Sequence, residues 1–365
     1  MPRQKKQGYR RVWYLTGFLL LLILSLLVYF LNQSSSKVDI ESETVEEPVR
    51  ELSAWVVDWH SEAGLSDLQE LSSSLSSVQA FGVYFNHEDQ LHVIDGFLES
   101  ISAVMDVSEE RGIPSTYLTI VNDRFNEDGT ITQKDSALLT RLMATEQSRN
   151  QHIANIMQLV ERHGVAGIEI DYERVLQEDW TNLILFLQQL YEQLQELDLS
   201  LRVVLEPRAP IEELKLPEGP DYVMMAYNLF GYHSGPGPKA DLSFIESLTK
   251  RMESLPGNPY VALATGGFSW DGGEKATALT EQKAYELEQE SIQPPSRDEE
   301  SGSIYFDYVD ENGEKHTVWY ADGETLRVWI EAAYSGGITN IALWRLGEVS
   351  EETLQKLNRM MEVND

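Results

Sequence analysis

The chain of 365 residues contains no cysteine. That absence excludes disulfides, thiolate metal sites and a cysteine nucleophile. Basic residues are scarce as well: 28 Lys and Arg face 60 Asp and Glu, a formal net charge of −32. Five of the basic residues (Arg3, Lys5, Lys6, Arg10 and Arg11) fall within the first 31 positions, where no acid occurs. The remainder therefore carries 23 against 60, or −37. A surface of that sign repels nucleic acid and other polyanions, so a neutral or amphoteric ligand is expected. The seven histidines (His60, His87, His92, His152, His163, His233 and His316) are scattered, and no pair has metal-binding spacing on a helix. No serine sits in a nucleophile elbow and no G-x-G-x-x-G loop occurs. Neither a metal nor a cofactor is indicated.

Long apolar runs are few, and one decides the topology. Val12 to Leu31 reads VWYLTGFLLLLILSLLVYFL, twenty residues without a charge. That is about the length needed to cross a hydrocarbon core of ~30 Å as a helix. Trp13, Tyr14 and Tyr29 flank the run, where amphipathic rings favour the interface, and the basic cluster before it places the N-terminus in the cytoplasm. A cleaved signal peptide would have a shorter apolar region and small residues at its cleavage site, whereas this run ends VYFLNQ. The expected organisation is a cytoplasmic basic tail (1–11), a retained signal anchor (12–31), an acidic tether (32–50) and an extracellular domain (51–365). The tether is polar, acidic and free of aromatics.

Past the tether, eight short β-rich runs recur: Trp55–Trp59, Val78–Phe85, Tyr117–Val121, Val165–Ile170, Leu201–Leu205, Tyr222–Tyr227, Tyr260–Ala264 and Ile338–Trp344. Most are separated by segments of helical period. Ile153, Ile156, Met157 and Val160 share one face of the first such segment. Leu183, Leu185, Leu187, Leu190 and Leu194 recur along another. Eight strands alternating with helices predict an α/β fold, a (β/α)8 barrel, with its site at the C-terminal ends of the strands. The link between strands five and six leaves room for one short helix. Strands seven and eight are more than 70 residues apart, and Ile304–Tyr320 between them predicts a small β-hairpin insertion turning at Asp310–Gly313.

The fourth run carries the chemistry. In GVAGIEIDYERV, Glu169, Asp171 and Glu173 lie at i, i+2 and i+4, so on a strand all three face one way while Ile168, Ile170 and Tyr172 face the other. Three carboxylates on one face repel each other and lose hydration on burial. Such an arrangement is better explained by a site than by a scaffold, although a solvated edge strand is the plainer alternative.

GIEIDYE resembles the strand-four signature D-G-x-D-x-D-x-E of glycoside hydrolase family 18, the chitinase-like barrels, and the chain is more similar still to the spore-cortex and cell-wall lytic branch. MAYN (Met225–Asn228), ALATGGFSW and HTVWYADGETLRVWIEAAYSGGITNIALWRLG match further family segments in order, over about residues 52–360. The resemblance implies a glycosidase that cleaves β-1,4 bonds of an N-acetylglucosamine-containing glycan, peptidoglycan or chitin-like, with no cofactor. Glu173 would be the proton donor. The substrate's own N-acetyl carbonyl would be the nucleophile, Asp171 would orient the acetamido group, Tyr227 would bond its oxygen and Trp344 would floor the sugar. Among substrate-contacting positions the family pattern points to Asn228, Glu169 and Asn122. Glu206, which follows strand five, and Trp270 are further candidates for the mouth. A salt bridge from Glu206 to Arg208 and core packing of Trp55, Trp59 and Trp270 are the structural alternatives.

The chain departs from the pattern at Ala166 and Glu169, where the motif has Asp, and at Asn228, where many members have Asp. These departures motivate a second expectation, a carbohydrate-binding barrel without turnover. A third is a membrane-tethered assembly partner that uses the hairpin as its contact surface.

Overall fold

The computed structural model describes residues 50–272 and 275–362. The basic tail, the apolar anchor and nearly all of the tether lie outside these residues. Among those described, no helix is long and apolar enough to cross a membrane.

All eight expected strands are present: β1 (Glu51–Val57), β2 (Ser77–Phe85), β3 (Ser115–Phe125), β4 (Gly167–Asp171), β5 (Ser200–Leu205), β6 (Asp221–Met225), β7 (Tyr260–Ala264) and β8 (Asn340–Trp344). Each pairs in parallel with its neighbours in chain order, and β8 returns to β1, so the sheet closes into a barrel. Side chains alternate across the barrel wall. On β4, Ile168 and Ile170 join the apolar layer under the helices, while Glu169 and Asp171 point inward; Tyr172 follows outward and its hydroxyl meets His152 at 2.6 Å. That alternation is the strand period of two acting on a sheet covered on its outer face.

Gly167 opens β4 for a steric reason. A Cβ there would sit 2.3 Å from the Ser200 carbonyl oxygen and 2.7 Å from the Tyr117 ring. The strand before the acids can therefore lie close to β3 and β5 only without a side chain.

The helices follow from capped amphipathic runs. Helix Glu146–His163 starts at a capping box between Thr145 and Ser148 and ends at Gly164 with φ 64°. It buries Ile153, Ile156 and Val160, whereas Met157 is only partly covered. In helix Trp180–Gln195, Leu183, Leu187, Leu190 and Leu194 are buried, but Leu185 is 41% exposed and lies off the packed face.

Two connections differ from expectation. Between β5 and β6 the short helix is only a 3-10 turn, Ile211–Glu213. Pro207, Pro210, Pro217 and Pro220 remove donors that a helix would need, and Arg251 reaches across to hold this stretch, donating to the Ala209 carbonyl at 2.7 Å and to Glu212. Between β7 and β8, the hairpin Ile304–Val309 and Lys315–Ala321 forms with its tight turn at Asp310–Gly313. It belongs to a larger insertion, a five-stranded antiparallel sheet that also contains Gly266–Asp271, Lys275–Leu279 and Ser296–Arg297. Gly266, at φ 61°, turns the chain out of β7 into this sheet. The segment ALATGGFSW is thus two strands in two sheets.

Candidate active site

A cleft of about 1070 Å³ opens over the C-terminal ends of the barrel strands, bounded on one side by the inserted sheet. Asp171, Glu173, Tyr227, Asn228, Asn122 and Trp344 all line it. The barrel topology brings these residues together from β3, β4, β6 and β8.

Asp171 ends β4 and is 8% exposed. Its Oδ1 is buried without a hydrogen-bond partner. Burial, reinforced by the negative charges of Glu173 and Glu169, holds its carboxyl well above the ordinary range. An unpartnered buried oxygen in a cleft wall is costly unless a ligand donor completes it.

Glu173 is clamped at its main chain. Its N–H donates to Asn122 Oδ1 at 2.9 Å, and Asn122 Nδ2 donates to the Glu173 carbonyl at 3.0 Å. Its carboxylate is ion-paired with Lys134. Burial raises the Glu173 carboxyl above its ordinary value, and the lysine pulls it partly back. The chain then turns at Arg174, φ 54°, whose N–H donates to Glu206 at 2.6 Å.

Beneath the cleft lies a different kind of acid. Glu169 is fully buried and accepts hydrogen bonds from the Trp55 indole, from Thr119 Oγ1 at 2.7 Å and from Arg202 Nε at 3.0 Å. The Arg202 guanidinium lies 4.5 Å from the Tyr260 ring centroid and 5.6 Å from that of Tyr117. Its charge is thus neutralised and sandwiched within the barrel.

The floor is aromatic. Trp344 stands nearly parallel to Tyr227 (10° between planes, centroids 6.4 Å apart) and meets Phe81 and Trp55 edge-on. Tyr227 is buried, and desolvation together with Asp171 and Glu173 raises its phenol further, so it stays a neutral donor. At the rim, Trp59 is 57% exposed.

Three candidates stand elsewhere than expected. Glu169 contacts no cleft space, because Arg202, Thr119 and Trp55 take its oxygens. Glu206 neither lines the mouth nor bridges to Arg208; it supports the turn after Glu173 from behind. Trp270 is fully buried in the inserted sheet, where its indole N–H donates to the Ser234 carbonyl at 3.0 Å. It holds the loop that carries Tyr232 and His233 into the cleft rather than facing a ligand. Trp55 likewise packs in the core. Ala166 precedes β4 at the opposite end from Asp171, with its N–H bonded to the Thr116 carbonyl at 2.9 Å.

Sequence reasoning passed over Lys134, Lys239, Arg345 and the Asp58–Tyr84 pair, all lining the cleft. Tyr84 donates to Asp58 at 3.1 Å. Asp58 had a signal, an acid directly after the first barrel strand; the three cations come from separate loops and have none.

Comparison with known proteins adds a sequence-level result. The uncharacterised glycosylase YvbX of Bacillus subtilis is 25% identical over 241 residues, 62% of this chain and 70% of that protein. The cortical fragment-lytic enzyme of Bacillus anthracis is 28% identical over 238 residues, 58% of this chain and about half (54%) of that protein. The Bacillus cereus spore cortex-lytic enzyme SleL superposes with a TM-score of 0.73 at 20% identity, over 85% of this chain and 74% of SleL, a likeness of fold. The model of the glycosyl hydrolases family 18 matches residues 131–348, which run from the loop bearing Lys134 through Asp171, Glu173 and Tyr227 to just beyond Trp344. More than half of the 365 residues are covered, and the chain belongs to glycosyl hydrolases family 18.

Proposed function

We propose that this chain is a membrane-anchored, extracellular glycosidase cutting β-1,4 bonds beside N-acetylglucosamine, in peptidoglycan or a chitin-like glycan, by a substrate-assisted retaining mechanism. The observation that carries it is the convergence of Asp171, Glu173 and Tyr227 over the Trp344 floor in one cleft. Glu173, raised by burial, gives its proton to the glycosidic oxygen as the C1–O bond breaks. The N-acetyl carbonyl oxygen of the same sugar closes on C1. Asp171 accepts the acetamido N–H on its otherwise unpartnered Oδ1 and balances the charge that develops; Tyr227 donates to the acetamido oxygen. Water, deprotonated by the Glu173 carboxylate, then opens the ring with the anomeric configuration retained. Family 18 enzymes are a substrate-assisted exception to the two-carboxylate scheme, so no enzyme carboxylate needs to stand at attacking distance from carbon.

The substrate class draws on the relatives, named as cortical fragment-lytic and spore cortex-lytic enzymes. The placement at the membrane rests on the Val12–Leu31 run alone. The departures from the motif bear little on the chemistry. Ala166 lies at the far end of β4 from Asp171, and Glu169 has its own counter-ion in Arg202.

One observation favours a second reading, a glycan-binding barrel without turnover: the Lys134 ammonium occupies the Glu173 carboxylate. Product analysis decides between them. The whole chain in detergent, incubated with N-acetylglucosamine oligomers and with purified cell wall, should release reducing ends, and Glu173→Gln should lower the rate by about 10²–10⁴-fold. Binding without product, or equal rates in the variant, would leave the binding barrel.

A further inference from the structure

In a chain with 60 acids and 28 basic residues, a cation in an enclosed cleft would ordinarily have a carboxylate partner. Lys134, on the wall of this cleft, pairs with Glu173 in this way. Lys239 and Arg345 line the same cleft, and among the described residues neither has a carboxylate oxygen within 4.0 Å.

The fold holds the two cations on one wall. The Lys239 ammonium donates to the Thr265 carbonyl at 2.7 Å and lies 5.2 Å from the Phe268 ring centroid. Arg345 directly follows the floor residue Trp344. Its main-chain carbonyl accepts from the hydroxyl of that same Thr265 at 2.7 Å. Its guanidinium reaches His60 Nδ1 at 2.9 Å and the Leu346 carbonyl at 3.2 Å, 5.8 Å from the Trp59 ring centroid. Asp67 and Glu348 lie behind Arg345 and act on it through space, without a direct ion pair. Asp67 accepts the N–H groups of Gly347 and Val349, and Glu348 accepts from Thr280. Burial, with the neighbouring Arg345, pushes the Lys239 ammonium down to about 7, and burial also lowers Arg345. Two like charges thus face one cleft wall, desolvated and with no carboxylate in direct contact, an arrangement that a bound anion would relieve.

We propose that Lys239 and Arg345 form a subsite for a carboxylate carried on the glycan, so that the cleft takes acid-bearing N-acetylhexosamine chains in preference to uncharged ones. The proposal rests on the glycan reading above and deepens it. Arg345 offers a planar fork matched to a carboxylate and Lys239 a point charge beside it. Their wall, built from the ends of β7 and β8 and the loop after β6, adjoins the Trp344 floor, so an acid on the sugar being cut or on its neighbour is within reach. The strongly negative surface elsewhere sharpens the effect. An acidic chain is repelled in every register except the one that sets its carboxylate on this pair.

The test is equilibrium binding by calorimetry to the whole chain carrying Glu173→Gln, which removes turnover. The probes are a short oligosaccharide alternating N-acetylglucosamine with N-acetylmuramic acid, the same compound with its carboxyls converted to methylamides, and an uncharged N-acetylglucosamine oligomer. The acid form should bind about tenfold tighter than its amide, the increment of a charge-assisted hydrogen-bonded contact, and added salt should narrow the gap. Introducing Lys239→Met or Arg345→Gln should bring the acid-to-amide ratio towards one. That ratio is internal to each protein, so a partly unfolded variant does not imitate the result. A glucuronic acid analogue paired with its own amide identifies whether a ring carboxylate or a lactyl carboxylate is the better ligand. Equal affinity for acid and amide in the unmodified cleft, or a ratio untouched by both substitutions, overturns the subsite while the glycan reading stands. Binding of none of the three probes overturns both. Acid preference with no turnover in the wild-type chain supports the subsite and overturns hydrolysis.

Discussion

At the scale of single residues, the Lys134–Glu173 contact decides how the acid is tuned. Burial raises the Glu173 carboxyl and Lys134 lowers it, so replacing the lysine with an uncharged side chain raises it further. A general acid works protonated, and activity falls as pH rises through its pKa. Lys134→Met should therefore move the alkaline limb of the kcat/KM profile to higher pH; a limb that stays put or moves down would show that another group sets it. Asp171 gives a second prediction, this time about stability. Its folded-state pKa lies above the unfolded value of about 3.9. The protonated group's contribution is therefore complete below that pH and is lost as pH rises through the folded pKa. Asp171→Asn cannot ionise. It should gain about 0.5–2 kcal/mol over wild type near neutral pH, a range usual for relieving a costly functional group. The gap should close below pH 4, and hydrolysis should fall by about 10²–10³-fold. Urea titrations at pH 3.5 and 7.5 would check it, and a gap of equal size at both would point to packing instead.

At the scale of elements, β4 and β5 share a buried ion pair that the motif alone would not suggest. Glu169 and Arg202 are nearly inaccessible, at 0% and 1% side-chain exposure, and 3.0 Å apart. Arg202→Met leaves Glu169 buried with only the Trp55 and Thr119 donors. It should cost about 3–5 kcal/mol, whereas Arg202→Met combined with Glu169→Gln should recover most of that loss. A double variant no more stable than the single one would mean that Arg202 acts through its ring contacts with Tyr260 and Tyr117. The eight barrel strands were legible because parallel strands covered on their outer face read as short apolar runs between helical periods. The inserted sheet was legible only at its hairpin. Gly266–Asp271 follows β7 with one residue between, so no turn signal of its own marks it beyond the glycines, and the positive φ of Gly266 separates the two strands. Between β5 and β6 the length of the link would admit a short helix, but its four prolines restrict it to a 3-10 turn.

At the scale of the whole molecule, half of the site was visible beforehand and half was not, for one physical reason. Asp171 ends β4 and Glu173 lies two residues beyond it, so the strand's period of two already sets the pair on one side. Lys134, Lys239 and Arg345 meet only through barrel closure, from loops more than 100 residues apart in each step of the chain. The proposed anchor is the reverse case, since its whole argument is sequence: twenty uncharged residues behind a basic cluster, then a remainder of formal charge −37. The proposed outer location of so acidic a domain is compatible with orientation being set by the basic residues flanking the apolar run, to which acids contribute little. The chain should therefore sediment with membranes, resist extraction by salt and be released by detergent. Protease added to intact protoplasts should destroy an epitope at the C-terminus and spare one at the N-terminus, and a chain beginning at residue 32 should leave the membrane fraction. Protection of the C-terminal epitope in intact protoplasts, with loss only after lysis, would place the cleft on the cytoplasmic side, out of reach of a wall glycan, and the proposed substrate would fall with the topology.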